Sequence, residues 1–208
     1  MNNKKLKLYD EIAIDASNLN GKMSFSEIFR NENPVEIEIG SGKGTFLVRQ
    51  AAEFPDRNFL GIEWASKFYR YAVDRLGRWG VKNVKMIRTD AAVLIAENID
   101  DESICCFHIY FPDPWHKRRH NDRRFVCKKN LEVLHSKLAA NGIINIATDH
   151  KNYFEWMLKH ISQCGELFEK IDYILPAGAQ EGEKAGTNFE RKYLEEGRDV
   201  HTVAIRKR

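Results

Sequence analysis

The chain lacks the features that would place it in a membrane or in a disulfide-stabilised secreted scaffold. It contains no run of the ~18–20 apolar residues that a membrane-spanning helix requires, and no signal-peptide pattern opens it. Its 208 residues include only four cysteines, none in a C-x-x-C spacing, and Cys105 and Cys106 lie in an apolar run typical of a core strand. This cysteine usage predicts a protein of the reduced cytoplasm with no membrane partner.

The chain also lacks a large net charge. Its 33 basic and 30 acidic residues leave a net charge of only +3, so overall charge gives no indication of a nucleic-acid partner. Any such function must come from a local cluster, and one is present, because five Lys and Arg residues fall between Lys117 and Arg124. The length suits one domain with a substantial core, and no internal repeat or second domain is visible.

The segment 107–124 carries the most specific pattern. An apolar run ends where Pro112 and Pro114 flank Asp113, because proline cannot continue a central strand. Trp115 and the basic cluster follow at once. A carboxylate can accept hydrogen bonds from a base, an aromatic ring can stack on one, and cations can bind phosphates. The alternative for the whole segment is a solvated loop that carries a run of charge. The alternative for Trp115 is that it only anchors this loop to the core.

A second pattern occupies residues 35–44. A short alternating strand is followed by Gly40, Gly42 and Gly44 and then by a helical pattern. Such a turn lets a ligand approach the backbone beside free N–H groups, although turns of this kind also occur without a ligand. A Walker loop is excluded because Lys43 is not followed by Ser or Thr, and a dinucleotide fingerprint is excluded because the third glycine comes one residue early.

Strands and helices are predicted to alternate, which favours a parallel sheet covered on both faces and ending in an antiparallel hairpin. The predicted strands are 35–39, 58–62, 84–88, 104–110, 142–147, 169–174 and 200–205. The predicted helices are 44–54, 65–79, 91–97, 124–139, 151–164 and 188–196. We expect residues 1–32 to form an extension, either partly disordered or packed on the outer face, and residues 33–208 to form the domain. Residues 175–187 are predicted to be a mobile loop that closes over substrate or orders on RNA.

Acidic residues end four of the predicted strands. They are Glu38, Glu63, Asp90 and Asp113. Because the carboxyl ends of parallel strands share one edge, where open α/β folds bind ligands, the four are expected to surround one site. Each has an alternative as a helix N-cap or a solvated side chain. Asp149, at the end of the fifth strand, is equally suited to contact a substrate or to cap the helix that starts near Lys151.

Six motifs together resemble the bacterial tRNA (guanine-N7-)-methyltransferase family. They are Phe-Pro-Asp-Pro-Trp-His-Lys-Arg-Arg-His-Asn-Asp-Arg-Arg (111–124), Glu-Ile-Gly-Ser-Gly-Lys-Gly (38–44), Gly-Ile-Glu (61–63), Asp-Ala (90–91), Ala-Thr-Asp (147–149) and Thr-Asn-Phe-Glu-Arg (187–191). They occur in the family's order and span about residues 35–205. The resemblance implies an α/β fold: a single-domain, Rossmann-like class I methyltransferase with a seven-stranded, mostly parallel sheet and helices on both faces. It also implies methyl transfer from S-adenosylmethionine to N7 of guanine 46 in the variable loop of tRNA.

The same resemblance implies roles for individual residues, with Asp113 as the catalytic position. The implied cofactor-binding residues are Glu38, Gly40, Gly42, Gly44, Glu63, Asp90 and Asp113. The implied substrate-binding residues are Lys117, Asp149, Thr187, Asn188, Phe189 and Glu190. The implied RNA-binding residues are Arg119, His120, Asn121, Asp122, Arg123 and Arg124. Relatives often carry a cation at the position of Asp122, so one phosphate contact is expected to be weaker here.

No metal is predicted. His116 and His120 stand four residues apart, but no third ligand accompanies them and the cations between them disfavour a divalent ion. The family includes monomers and dimers, so the resemblance leaves a monomer or a homodimer open. Two rival functions also remain: a methylase of exocyclic amines, whose motif has two tandem prolines, and a non-catalytic RNA-binding module that retains a nucleoside pocket.

Overall fold

The structure is a computed structural model that describes residues 6–208, apart from the side chain of Arg118. Within this range the strands are β1 (Ala13–Ile14), β2 (Val35–Ile39), β3 (Asn58–Ile62), β4 (Val84–Ile87), β5 (Ile104–Tyr110), β6 (Leu138–Thr148), β7 (Phe168–Ile171) and β8 (His201–Lys207). The α-helices are α1 (Phe25–Phe29), α2 (Thr45–Glu53), α3 (Ser66–Trp79), α4 (Ala91–Asn98), α5 (Lys128–Lys137), α6 (Lys151–Ser162) and α7 (Asn188–Glu195). Short 3₁₀ helices cover Ala16–Asn18 and Arg118–Arg123.

All the described strands form one sheet, in the order β1-β4-β3-β2-β5-β6-β8-β7. Neighbouring strands from β1 to β6 are parallel, whereas β8 is antiparallel to both β6 and β7. The chain moves outward from β2 through β3 and β4 on one side, and from β5 through β6 on the other. The strand order therefore reverses between β2 and β5, which is the point where open α/β sheets bind ligands.

Two hydrophobic cores lie on opposite faces of the sheet because side chains alternate along each strand. Ile37 and Ile39 of β2 belong to the core that α4, α5 and α6 cover, together with Phe107 and Ile109 of β5. The other face packs against α2 and α3, and Tyr110 of β5 belongs to its core. Along β2 and β5, the apolar residues of the first core alternate with Glu36, Glu38 and His108, which are also buried. The second face therefore carries buried polar groups beside the point where the strand order reverses.

The predicted alternation, the parallel sheet and the terminal antiparallel pairing are confirmed. The sheet has eight strands rather than the predicted seven, because residues 13–14 pair with β4 at its edge. This strand belongs to the predicted extension, whose residues 1–5 lie outside the described part of the chain. Between residues 6 and 32, Ile12, Met23 and Phe29 are buried against the domain. Among the described residues, no helix is both long and apolar enough to cross a membrane.

Candidate active site

The turn between β2 and α2 requires glycine for two separate reasons. Gly40, Gly42 and Gly44 all have positive φ angles, of 78°, 54° and 69°, which side chains other than glycine rarely adopt. Space is also short, because a Cβ at Gly44 would lie 3.1 Å from the Cβ of Ala72, and one at Gly42 would lie 3.3 Å from a ring carbon of Phe189. The turn therefore presents bare backbone to the space above the carboxyl end of β2.

Glu63, at the end of β3, fixes this turn from the neighbouring strand. Its carboxylate accepts hydrogen bonds from the N–H of Gly42 at 2.8 Å and from the N–H of Ala65 at 2.7 Å. Burial raises the pKa of the Glu63 carboxyl and the nearby charge of Asp113 raises it further, against the lowering effect of the N–H groups of Ala65, Gly42 and Trp64. The structure thus brings two of the predicted site acids, Glu63 and Asp113, close together at the carboxyl edge of the sheet.

Glu38 faces a cavity beside the turn. The residue is only 4% exposed, and its Oε2 atom has no hydrogen-bond partner. Burial, reinforced by the charge of Glu63, raises the pKa of Glu38 to about 8. The group is therefore mostly protonated at neutral pH. A buried polar atom without a partner is rare in proteins, and a donor on a bound ligand would satisfy it.

The cavity has a volume of about 220 Å³ and lies between the glycine turn and the start of α7. Its lining residues are Glu38, Gly40, Ser41, Gly42, Lys43, Thr45, Phe46, Phe68, Tyr110, Thr187, Asn188, Phe189 and Lys192. Thr187 caps α7 by accepting from the N–H of Glu190 at 3.1 Å. Three predicted substrate-binding residues, Thr187, Asn188 and Phe189, therefore line the same cavity as the predicted cofactor-binding turn.

Glu190 does not face this cavity, although it was predicted to bind substrate. It is completely buried, and its carboxylate accepts hydrogen bonds from the N–H groups of Lys184, Ala185 and Gly186. These bonds fix the end of the irregular segment 175–187. Two more contacts hold this segment to α2, where Gln50 donates to the Ala177 carbonyl at 2.8 Å and Arg49 donates to the Gly178 carbonyl. Glu190 thus acts on the cavity through the loop that carries Thr187.

Asp113 lies at the rim, exposed to solvent and outside the cavity lining. Its charge raises the pKa of Glu63, on which burial has a larger effect. It also raises the pKa of Tyr193 in α7, on which burial, Asp149 and Glu196 have larger raising effects. It therefore stands near both the glycine turn and α7. The flanking Phe111 and Trp115 adopt positive φ angles of 50° and 47°, so the proline-flanked turn is sharply bent. Strain of this kind in residues other than glycine is frequent at functional sites.

Trp115 packs within its own loop. Its ring lies 6.0 Å from the ring of His120, in an edge contact, and 5.1 Å from the guanidinium carbon of Arg123. Both contacts lie within the loop and neither anchors it to the core, so stacking of a base on Trp115 stays a prediction. Trp115 as a whole is half-buried.

The basic segment, residues 117–124, divides into exposed and buried cations. Lys117, Arg119 and Arg123 are exposed, as is Asp122, whereas His120 and Asn121 are half-buried. Arg124 departs from the prediction, because it is only 6% exposed and so is not placed to bind phosphate. Its Nε donates to the Pro114 carbonyl at 2.8 Å, and its guanidinium stacks over Tyr153 and Trp156. It holds the Asp113 turn in place. The side chain of Arg118, the remaining cation of this segment, lies outside the described part of the chain.

Two further predicted site acids, Asp90 and Asp149, already have partners within the protein. Asp90 accepts from the N–H groups of Ala92 and Val93, so it caps α4, as its alternative reading proposed. Asp149 instead forms an ion pair with Arg198 at 2.7 Å. The capping alternative for Asp149 is wrong, because His150 is the N-cap of α6.

A buried cluster behind the cavity was not predicted. Glu36, Cys106 and His108 place potential metal-ligating atoms within 4.8 Å of one another. Both carboxylate oxygens of Glu36 are already bonded, one to Arg57 at 2.5 Å and one to His108 at 2.7 Å. The positive charge of Arg57 also opposes a second cation. We therefore assign this cluster to a hydrogen-bond network. Tyr110 in the cavity wall was also missed, although its place as the last residue before Phe111 and Pro112 was a signal.

The chain is similar to known methyltransferases over most of its length. The family model described as "Putative methyltransferase" matches residues 32–203. The chain is 37% identical over 182 residues to a tRNA (guanine-N(7)-)-methyltransferase of Streptococcus thermophilus, covering 88% of this chain and 84% of that one. It is 34% identical over 185 residues to the enzyme of that name from Streptococcus pneumoniae, covering 89% and 87%.

Solved structures share the fold at low sequence identity. The 16S rRNA methyltransferase KamB superposes with a TM-score of 0.65 at 15% identity, covering 89% of this chain and 94% of that one. The protein SMU.1697c from Streptococcus mutans, solved in complex with SAH, superposes with a TM-score of 0.57 at 12% identity, covering 85% and 89%. At these identities the likeness supports the fold alone.

Proposed function

The chain belongs to the tRNA (guanine-N(7)-)-methyltransferase family, and we propose on this basis that it methylates N7 of guanine 46 in the variable loop of tRNA. The methyl donor is S-adenosylmethionine. The observation that carries the proposal is the joint placement of a ligand cavity and a free carboxylate at one sheet edge. Glu38 and the glycine turn form the cavity, and Asp113 stands at its rim.

The residues present suit the cofactor. The bare backbone at Gly40 and Gly42 allows close approach, and the unpartnered Glu38 oxygen offers an acceptor for a cationic or N–H group. Glu63 would accept from ribose hydroxyls, since its two observed bonds leave further lone pairs free. When bound, the cofactor supplies an electrophilic methyl group on a positively charged sulfur.

The reaction requires the protein to align guanine N7 with the methyl group more than to transfer a proton. Guanine N7 carries a lone pair and no proton, so no general base is needed before attack. The purine becomes cationic as the new bond forms, and a nearby negative charge stabilises that change. Asp113 serves both needs if it accepts from N1–H or the exocyclic amine of guanine, because this grip would orient N7 toward the methyl group.

Asp113 is better placed for this role than Asp149. The carboxylate of Asp149 is paired with Arg198 at 2.7 Å, so a base would have to displace that guanidinium. Among the described residues, no salt bridge to Asp113 is found, and its carboxylate is exposed at the rim. We therefore assign the catalytic contact to Asp113 and a supporting position to Asp149.

The exposed cations of the basic segment would bind the tRNA backbone. Lys117, Arg119 and Arg123 project from the loop that also holds Asp113, so phosphate contacts there would set the position of the target base. The free thiols of the chain suit the reducing cytoplasm, where tRNA is modified.

The test is incubation with methyl-labelled S-adenosylmethionine and unmodified tRNA, followed by digestion and identification of the labelled nucleoside. We expect 7-methylguanosine, and no label when position 46 carries adenosine. Label on an exocyclic amine would support the rival methylase. Cofactor binding without transfer to any tRNA would support the non-catalytic RNA-binding module.

A further inference from the structure

Two histidines connect the loop that carries Asp113 to the start of α6. His116 follows Asp113 by three residues, and its Nδ1 atom lies 3.0 Å from Nε2 of His150. The two ring centroids are 4.8 Å apart. His150 is the N-cap of α6, whose Tyr153 and Met157 are buried in the core. The loop is therefore joined through this contact to a helix that is itself held by the core.

The cap determines which nitrogen of His150 carries its proton. The backbone N–H of Tyr153 donates to the carbonyl of His150 at 3.0 Å and to its Nδ1 atom at 3.1 Å. A proton on Nδ1 would face this N–H, so a neutral His150 carries its proton on Nε2. Burial lowers the pKa of His150 first, and His116 and Arg124 lower it further. Asp149 and a backbone contact raise it, but by less, so His150 is mostly neutral at pH 7.

The direction of the contact between the two rings follows from this tautomer. Nε2–H of His150 donates to Nδ1 of His116, which must then carry no proton. A proton taken up on Nδ1 of His116 places two N–H groups against each other and breaks the contact. A proton on His150 instead would set an Nδ1–H against the N–H of Tyr153 and a positive charge near Arg124. Histidines change charge between about pH 5 and 8, so the contact depends on pH in this range.

The loop has a second attachment to α6. The Nε of Arg124 donates to the carbonyl of Pro114 at 2.8 Å, and its guanidinium lies over two aromatic rings of α6. Pro114 and His116 are the first and third residues after Asp113. Loss of the histidine contact therefore removes one of these two attachments close to the Asp113 carboxylate.

From these contacts we propose that His116 and His150 are positioning residues that hold the Asp113 turn for methyl transfer and release it when His116 binds a proton. This inference rests on the proposed function, because it assumes that Asp113 meets the target base. The contact sets an acid limit on the rate of methyl transfer. Neither histidine lines the cofactor cavity, so the affinity for the cofactor does not depend on the pair.

The test is single-turnover methyl transfer by the full-length protein at about pH 8 and about pH 5.5, with saturating S-adenosylmethionine and unmodified tRNA. Wild type should be about three- to tenfold slower at the lower pH, as expected from loss of one neutral hydrogen bond. His116→Ala should be slower than wild type by this factor already at pH 8. His116→Asn places an amide oxygen, which does not titrate, near the position of Nδ1, so it should keep the rate at pH 8 and lose most of the fall at pH 5.5.

His160→Asn is the matched control. His160 lies near the other end of α6, and its Nδ1 also accepts from a backbone N–H, that of Lys128 at 3.1 Å. This variant should keep the pH dependence of wild type. A fall in His116→Asn as large as that of wild type would overturn the proposal, as would a wild-type rate of His116→Ala at pH 8.

The tautomer provides a readout that needs no methyl transfer. Nitrogen-15 NMR of wild type at about pH 8 should show His150 with its proton on Nε2, and a proton on Nδ1 would overturn the proposal. Absence of methyl transfer by wild type to any tRNA would instead refute the proposed function, and the NMR result would not change with it.

Discussion

Glu38 should release a proton when the cofactor binds. Its carboxyl is buried beside Glu63, and together these raise its pKa to about 8. At pH 7 a group with that pKa is about nine-tenths protonated, by the ordinary titration relation. A ligand that places a cationic or N–H group on the unpartnered Oε2 atom favours the carboxylate, so binding at pH 7 should release up to about 0.9 proton.

The assay is calorimetry of S-adenosylmethionine binding at pH 7 in buffers with different ionisation enthalpies. The slope of observed enthalpy against ionisation enthalpy gives the number of protons released. Glu38→Gln should abolish this slope, and Asp122→Asn, which changes an exposed carboxylate, should keep it. A wild-type slope of zero, or an equal slope in Glu38→Gln, would refute the reasoning.

The same group predicts a pH dependence of folding. A carboxyl whose pKa is raised in the folded state binds its proton more tightly there than in the unfolded chain. Its contribution is therefore fully present below the unfolded value of about 4.5 and is lost as pH rises to about 8. Relative to Glu38→Gln, the free energy of unfolding of wild type should fall across this window by at most about 1.4 kcal/mol per pH unit. Urea unfolding at several pH values measures it, and parallel curves for the two proteins would contradict the prediction.

Three other predictions concern the rim and its supports. Asp113→Ala should lower kcat by about 10²–10³-fold while the calorimetric affinity for S-adenosylmethionine stays unchanged, and retention of most turnover would remove Asp113 from catalysis. Arg123→Ala should reduce the salt dependence of tRNA binding by about one ion and leave the melting temperature unchanged. Arg124→Ala should instead lower the free energy of unfolding by about 1–3 kcal/mol, because its guanidinium is buried. Equal effects of the two changes would contradict this difference in burial. Glu190→Ala leaves three N–H groups of the loop without an acceptor, so hydrogen exchange at residues 184–186 should accelerate, and unchanged exchange would refute its role.

The fold and the position of the site follow from local patterns. Strands such as 35–39 and 104–110 are short apolar or alternating runs that end at glycine or proline, and the structure has both at the predicted bounds. The two-residue strand at 13–14 is too short to show any pattern. It exists because the edge of β4 offers it backbone partners.

Burial of individual polar residues could not be predicted, because it depends on distant parts of the chain. Arg123 and Arg124 are equivalent in the sequence. Only Arg124 lies over Tyr153 and Trp156, about thirty residues away, and is withdrawn from solvent. Likewise, the local preference for Asp at N-caps favours Asp149 over His150, but Asp149 pairs with the distant Arg198 and His150 caps the helix.

The central claim, that the ring nitrogen N7 of guanine 46 is the methyl acceptor, is tested most directly by changing that one atom. A tRNA with 7-deazaguanosine at position 46 keeps the edge that Asp113 is proposed to bind but has carbon in place of N7. We predict that the protein binds this tRNA as tightly as the unmodified one and transfers no methyl group to it. Methyl transfer to the deaza nucleotide at a rate near that of normal tRNA would contradict the account.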